Sequence, residues 1–400
     1  MNFTLSKIFK GDKVIWIVLL LLSLLSVLIV YSSTGALAFR RANGDTWHYL
    51  VRQLFFLSIG FGIIVLMVNV FPVKLYSTLA QLAVYLSIAL LVVAVMLKLS
   101  GYAGVSSGRT LNLGFISFQP AEIAKISLIM FVARVLGRKQ QSKRDLFKAF
   151  KTTIIYTIII CGLIFFSDFS TSALLFATVM SMMFIGRIPV KYLALVVAAG
   201  LILVAAIYFA AGFMPGNLLR VKTIKGRIER FIHGDPASKK GITQADYAKL
   251  AIYEGGLLGK GPGHSDVSNY MAAAYNDFIF AIIVEEYGLI VAGAIVFLYL
   301  VFFFRGVVIV GRATRTFPAF LVAGLTLILV FQAMINIGVS SGVLPVTGQP
   351  LPWVSMGGTS MLFTSIAFGC ILSVSYQNQK NKEAGEQPVT VNTPDEDEVL

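Results

Sequence analysis

The chain has 400 residues, 57% of them hydrophobic and only 13% charged, with a formal net charge of +14. Soluble globular domains carry about a quarter charged residues, so an ordinary soluble protein is excluded. The apolar runs are long and continuous, where a membrane β-barrel would show short alternating segments.

A helix needs about 20 apolar residues to cross the hydrocarbon core. In chain order, such runs predict helices over 14–33, 50–70, 75–98, 120–137, 151–167, 170–186, 190–212, 276–304, 317–340 and 358–376. The expected fold class is an all-α polytopic membrane protein: one integral domain over 1–376, about ten transmembrane helices, and a large extracytoplasmic loop over about 213–275. Lys7, Lys10 and Lys13 precede the first run as in a signal peptide. That run is long and no Ala-x-Ala-like site precedes Tyr31, so it reads as a retained helix. Residues 377–400, with Asp395-Glu396-Asp397-Glu398, read as a disordered cytoplasmic tail.

Orientation follows from Lys and Arg in the short loops. With the N-terminus in the cytoplasm, the inner loops hold Lys74, Arg138, Lys139, Arg187, Arg312 and Arg315, and the outer short loops are poorer. The large loop then faces outward, although it is rich in Arg and Lys. Long loops largely escape the charge rule, so its basic excess fits either a solvated face or an anionic ligand.

Cys161 and Cys370 fall inside spans and read as packing residues. His48, His233 and His264 have no metal-ligand spacing. No Walker loop or Gly-x-Ser-x-Gly is present, and neither an organic cofactor nor a nucleic-acid partner is expected.

Ionisable groups at membrane depth are costly and call for a partner or a task. Glu122 and Lys125 open the fourth span at i,i+3, either as a self-satisfied pair or with Lys125 facing an outward cavity. Asp168 either caps the sixth helix or meets Arg109 at the same depth. Asp277 ends the basic loop, with Glu285 and Glu286 following in the same span; it is either a cap or a general base. Ser355-Met356-Gly357-Gly358-Thr359-Ser360 opens the last span, offering free amides to an anion or small residues for close packing.

These segments together resemble the SEDS family (shape, elongation, division and sporulation), the membrane glycosyltransferases of the FtsW and RodA type. The resemblance spans nearly the whole chain. It rests on Tyr31-Ser32-Ser33, Gly108-Arg109, Gln119-Pro120-Ala121-Glu122-Ile123-Ala124-Lys125, Asp168-Phe169-Ser170-Thr171, Gly255-Gly256-Leu257-Leu258-Gly259-Lys260-Gly261, Asp277-Phe278-Ile279-Phe280, Asn336-Ile337-Gly338 and the Ser355 to Ser360 run. Before Asp277 the family often has Pro-Glu-x-His-Thr, where this chain has Ala272-Ala273-Ala274-Tyr275-Asn276. Gln349 stands where many members carry Lys, and Gln244 alone survives from a Gln-x-x-Gln-Ser-like segment.

The resemblance implies polymerisation of lipid II into glycan strands at the outer face of the cytoplasmic membrane, with release of undecaprenyl diphosphate and Asp277 as catalytic base. It implies substrate contacts from Arg109, Glu122, Lys125, Asp168, Thr171, Gln244, Ser355, Gly357 and Gly358. A divalent cation (Mg or Mn) bridging carboxylate and diphosphate is expected, with no residue set that fixes its site. The expected partners are a class B penicillin-binding transpeptidase and other division proteins. Ser355 to Ser360 and Ile282-Ile283-Val284-Glu285-Glu286 lean toward the division branch at the septum. A lipid II flippase and the elongation-type polymerase are the alternatives.

Overall fold

The computed structural model describes residues 8–34, 46–100, 105–106, 110–112, 117–138, 142–165, 167–210, 226, 242–271 and 275–387. Ten long helices occupy the ten predicted places: α1 (Lys13–Ser33), α2 (Trp47–Val70), α3 (Val73–Leu99), α4 (Pro120–Arg138), α5 (Lys143–Phe165), α6 (Phe169–Ile185), α7 (Val190–Ala210), α9 (Ile279–Gly311), α10 (Thr316–Ser340) and α11 (Gly358–Glu383). A polar helix, α8 (Gln244–Gly255), lies in the large loop. Among the described residues, seven helices qualify as spans by length and hydropathy, and α6 and α7 add shorter apolar stretches. Polar side chains lower the mean of α4, and it is buried along most of its length. The chain is a multi-pass membrane protein.

Between α3 and α4, three short strands form an antiparallel sheet: β1 (Val105–Ser106), β2 (Thr110–Asn112) and β3 (Ser117–Phe118). Leu111 pairs with both Val105 and Phe118. The sheet lies in a segment whose hydropathy carried no sign of it.

Helix α10 sits at the centre, against α4, α6, α9 and α11. In lipid no hydrophobic drive brings helices together, so small residues and close packing decide. A Cβ on Gly324 would lie 2.6 Å from both Ile129 Cγ2 and Met182 Sδ, so α10 touches α4 and α6 where only glycine fits. The outward side chains of α7, such as Leu195, Leu201 and Ile202, are exposed, as suits a face turned to lipid.

The two ends of the described chain meet. Asp12 accepts from the Val14 amide at 2.9 Å, capping α1, and from Arg305 Nε at 3.0 Å. Gln379 Nε2 donates to the Gly11 carbonyl at 3.2 Å. Helix α11 thus runs seven residues past the apolar stretch that ends at 376. Asn378 Nδ2 bonds the Ile309 carbonyl at 3.0 Å, and Asn381 Nδ2 bonds Thr314 Oγ1 at 2.5 Å. Those amide contacts, invisible to hydropathy, place the start of the expected tail inside a helix; residues 388–400 lie outside the described residues.

Helix α9 has 33 residues, about 50 Å of helix against a core of about 30 Å. It is broken at Gly288, with φ 78° and ψ 175°. Residues 255–261 fill the break with their own backbone. Leu289 N donates to Gly256 O at 3.0 Å, Lys260 N to Glu285 O at 2.8 Å, and Gly261 N to Glu286 O at 2.9 Å. Backbone groups freed at membrane depth must be satisfied within the protein, and here the loop does it. The chains approach so closely that a Cβ on Gly259 would lie 2.4 Å from Glu286 O, and one on Gly288 2.3 Å from Leu257 O.

Candidate active site

Four helix beginnings converge at the end of the bundle away from the two ends of the described chain. They are the starts of α4, α6 and α11, and the two residues Asn276 and Asp277 just before α9. Together with Thr110 and the stretch Gly348-Gln349-Pro350 they enclose a cavity of about 280 Å³. Six of the ten expected catalytic and substrate-binding residues line it: Glu122, Asp168, Thr171, Asp277, Gly357 and Gly358. The start of a helix carries a partial positive charge of about half a unit and free amides. Converging starts therefore offset the three carboxylates and favour an anionic ligand.

Several of the lining residues are held by their neighbours. Asp168 is the N-cap of α6 and accepts from the Thr171 amide at 3.3 Å, so its capping role and its place in the cavity wall coexist. Thr171 Oγ1 accepts from Gln349 Nε2 at 2.8 Å. The cap of α9 falls on Phe278, one residue later than the sequence suggested, which leaves Asp277 on the approach to the helix. The Asn336 side chain donates to Asp277 O at 3.0 Å and to Gln349 O at 2.8 Å.

The loop before α11 forms a rigid wall. Gln332 Nε2 holds the Pro350 carbonyl at 3.0 Å, Ser26 Oγ holds that of Val354 at 2.8 Å, and Tyr299 hydroxyl holds that of Pro352. Trp353, with φ 67°, is buried and donates to Ser23 Oγ at 2.7 Å. Ser355 belongs to this support rather than to the cavity lining. Its Oγ accepts from the Leu351 amide at 2.8 Å and donates to the Asn276 carbonyl at 2.9 Å.

Lys125 and Glu122 are both buried and pair at 2.9 Å. Lys125 Nζ also donates to Gln332 Oε1 at 3.2 Å, so the ammonium stands behind the carboxylate, between the cavity and α10. Gln244 is the exposed first residue of α8 and does not line the cavity. Arg109 lies outside the described residues; its neighbour Thr110 is in the wall.

Glu285 and Glu286 turn away from this cavity. Glu285 is fully buried and accepts from Ser265 Oγ at 2.5 Å and Lys260 Nζ at 3.3 Å; Glu286 bonds the Ser32 hydroxyl. Glu254, Asp266 and Glu285 are the one carboxylate trio among the described residues close enough to hold a metal. The Lys260 ammonium bonds all three, an internal cation in place of a metal. The Glu254 and Asp266 carboxylates, together with Glu285, hold the Lys260 pKa well above the ordinary lysine range.

Sequence reasoning missed Asn276 and the structural weight of Gln349. Asn276 lines the cavity, and its Oδ1 is buried without a protein partner. It also missed Arg52 of α2, whose Nη2 would lie 3.5 Å from a Cβ on Gly358. A lone arginine near the start of an apolar run was the available signal.

Comparison with known proteins gives the family. Residues 12–380 match the FTSW_RODA_SPOVE family model, described as cell cycle protein. The chain is 31% identical over 374 residues to the probable peptidoglycan glycosyltransferase FtsW of Coxiella burnetii, covering 91% of this chain and 96% of that one. It is 31% identical over 362 residues to the peptidoglycan glycosyltransferase MrdB of Escherichia coli K12, covering 88% and 92%. In fold it resembles a chain of a peptidoglycan synthase complex that coordinates polymerization and crosslinking, with TM-score 0.70, 21% identity, and 94% and 99% of the two chains covered. It also resembles the rod shape determining protein RodA of Thermus thermophilus, with TM-score 0.60, 20% identity, and 89% and 95% covered. With a family model covering most of its length, and relatives above 30% identity over nearly all of it, the chain belongs to the FtsW/RodA/SpoVE family of cell cycle proteins.

Proposed function

We propose that this protein is a peptidoglycan glycosyltransferase that polymerises lipid II into glycan strands at the outer face of the cytoplasmic membrane. The observation that carries the reading is Asp277 in the wall of a polar cavity, facing a space ringed by helix beginnings, in a chain whose relatives bear that activity in their names.

The acceptor sugar hydroxyl attacks the anomeric carbon of the donor chain. Asp277 takes the hydroxyl proton as the new glycosidic bond forms and the bond to the diphosphate oxygen breaks, so that undecaprenyl diphosphate leaves with the bonding electrons. The amides of Gly357 and Gly358 and the starts of α4 and α6 face the charge that develops on the diphosphate, where fixed dipoles act without reorganising. Lys125, through Glu122, adds positive charge to that wall, and Arg109 keeps the substrate-binding role that the family resemblance implies. The free Asn276 Oδ1 can accept only a donor, and a sugar hydroxyl or N-acetyl N–H supplies one.

Hard oxygen donors suit a divalent cation such as Mg or Mn, which binds through one or two carboxylates plus substrate phosphates. Asp277 and Asp168 would hold it, and it would neutralise the leaving diphosphate. The four-residue cluster around Lys260 is not its place, because an ammonium already fills it.

The charge bias of the short loops puts the chain termini in the cytoplasm and the cavity outside. A class B penicillin-binding transpeptidase, which crosslinks new strands, is the partner proposed here, together with other division proteins. Relatives of both the FtsW and MrdB kind lie near 31% identity; the division branch is assigned on the Ser355 to Ser360 run, and a fluorescent fusion at midcell rather than along the sidewall is the expected result.

Asp277→Asn tests the mechanism. It keeps the size of the side chain but cannot accept the proton, and general bases contribute about 10²–10⁴-fold. Purified protein, its transpeptidase partner, labelled lipid II and Mg should give glycan ladders on a gel, without any gradient or second leaflet. Near-normal ladders from the variant would overturn the assignment of Asp277 as base.

A further inference from the structure

The opposite end of the bundle, where the two ends of the described chain meet, holds a second cavity of about 360 Å³, within the range of about 300–1,000 Å³ typical of ligand pockets. It lies among the start of α3, the end of α4, the start of α10 and the end of α11. Lys74, Arg138 and Arg315 line it against a single carboxylate, Glu386.

The frame that presents these cations is rigid. Thr316 Oγ1 donates to the Gly137 carbonyl at 2.9 Å, tying the start of α10 to the last turn of α4. Asn381 Nδ2 reaches Thr314 Oγ1, and Asn381 Oδ1 accepts from Gln377 Nε2 at 2.7 Å, so α11 closes the third side. Asn378 and Asn381, both buried, are part of the lining. Each arginine already interacts within the protein, and a guanidinium carries five donors, enough to serve a ligand as well. Phe317 and Pro318 add an apolar wall.

Basic residues at this end of a membrane protein orient it, and for that purpose they need only be present in the loops. Convergence of three of them on one walled space, with amide side chains between them, exceeds that need. Their place at the helix ends is the level of lipid headgroups, where basic pockets between helices hold anionic heads. Guanidinium forks match tetrahedral oxyanions. We infer that this cavity binds a phosphate-bearing anion, through Arg138, Arg315 and Lys74, supplied either by an anionic lipid headgroup or by a soluble phosphate compound.

Thermal unfolding of the purified full chain in a neutral detergent tests this. Short-chain phosphatidylglycerol should raise Tm, while phosphatidylcholine of the same chain length should not. Replacing both arginines, Arg138→Gln with Arg315→Gln, should raise the lipid concentration needed for half the shift by roughly tenfold or more. Lys74→Gln, at an exposed position, should do so by a smaller factor and serves if the double variant fails to fold. Arg312→Gln, a basic residue outside the cavity lining, should respond as the unaltered chain does. A Tm rise with millimolar inorganic phosphate, lost in the same variants, would also support the site and assign a soluble ligand. The inference is overturned if Arg312→Gln loses the response as the cavity variants do, or if neither anion gives a shift that depends on the cavity residues.

Discussion

Asn336 holds the carbonyl oxygen of Asp277 at 3.0 Å through its side-chain amide. The same nitrogen holds the Gln349 carbonyl at 2.8 Å. One fully buried residue of the central helix thus sets both the approach of the proposed base and the loop opposite it.

Asn336→Leu keeps the bulk and removes both donors. Each carbonyl left buried and unpaired costs about 1–3 kcal/mol, so Tm should fall. Ladder yield, measured well below the variant's Tm, should fall further than the remaining folded fraction explains. A variant with lowered Tm and full activity per folded molecule would show that Asn336 supports the fold without positioning Asp277.

The Glu122–Lys125 pair predicts an asymmetric cycle. Lys125→Ala leaves a buried carboxylate without its partner, a loss of about 3–5 kcal/mol for a buried pair. The double variant with Glu122→Ala should recover most of the stability. Stable folding of the double variant without polymer would give the pair a part in substrate binding; recovery of both properties would make it structural.

Gly259→Ala should be poorly tolerated, because its Cβ would lie 2.4 Å from the Glu286 carbonyl and the φ of Gly259 is 80°. The expected result is a lower Tm and easier proteolysis of the loop. By contrast Gly263→Ala, with φ 78° but open space around its Cβ, meets only the backbone penalty of about 1 kcal/mol or slightly more. Equal effects at the two sites would exclude close backbone contact as the cause.

Lys260→Gln should loosen the same loop by stranding Glu285. The lysine pKa is raised by its carboxylate neighbours, so its contribution is complete below the ordinary lysine value and is lost only as pH rises past the folded value. The difference in loop protection between the unaltered chain and Lys260→Gln, read by hydrogen exchange, should therefore stay constant from about pH 6 to about pH 9. A change within that window would point to another titrating group.

Orientation can be read with single cysteines. In intact cells with a permeabilised outer envelope, a membrane-impermeant maleimide should label Ser238→Cys and spare Ser142→Cys. Ser142 is exposed at the start of α5, and Ser238 lies in the large loop outside the described residues. The reverse pattern would put the cavity on the cytoplasmic side.

Hydropathy determined the order of the ten long helices, because a bilayer demands long apolar runs whatever their neighbours are, but it gave no sign of the polar helix α8. It also marked Glu122, Lys125, Asp168 and Asp277, since ionisable groups at membrane depth are too costly to be incidental. Which of them share a space was a question of packing. Glu285, eight residues beyond Asp277 and inside α9, is turned into the Lys260 cluster, while Asp168 and Gly357, over a hundred residues apart, face one cavity. The break at Gly288, the small sheet and the extension of α11 to Glu383 rest on backbone and amide hydrogen bonds between distant segments. No local pattern encodes those pairings; only the tertiary structure decides them, because the partner of each polar group is chosen by the helix packed against it.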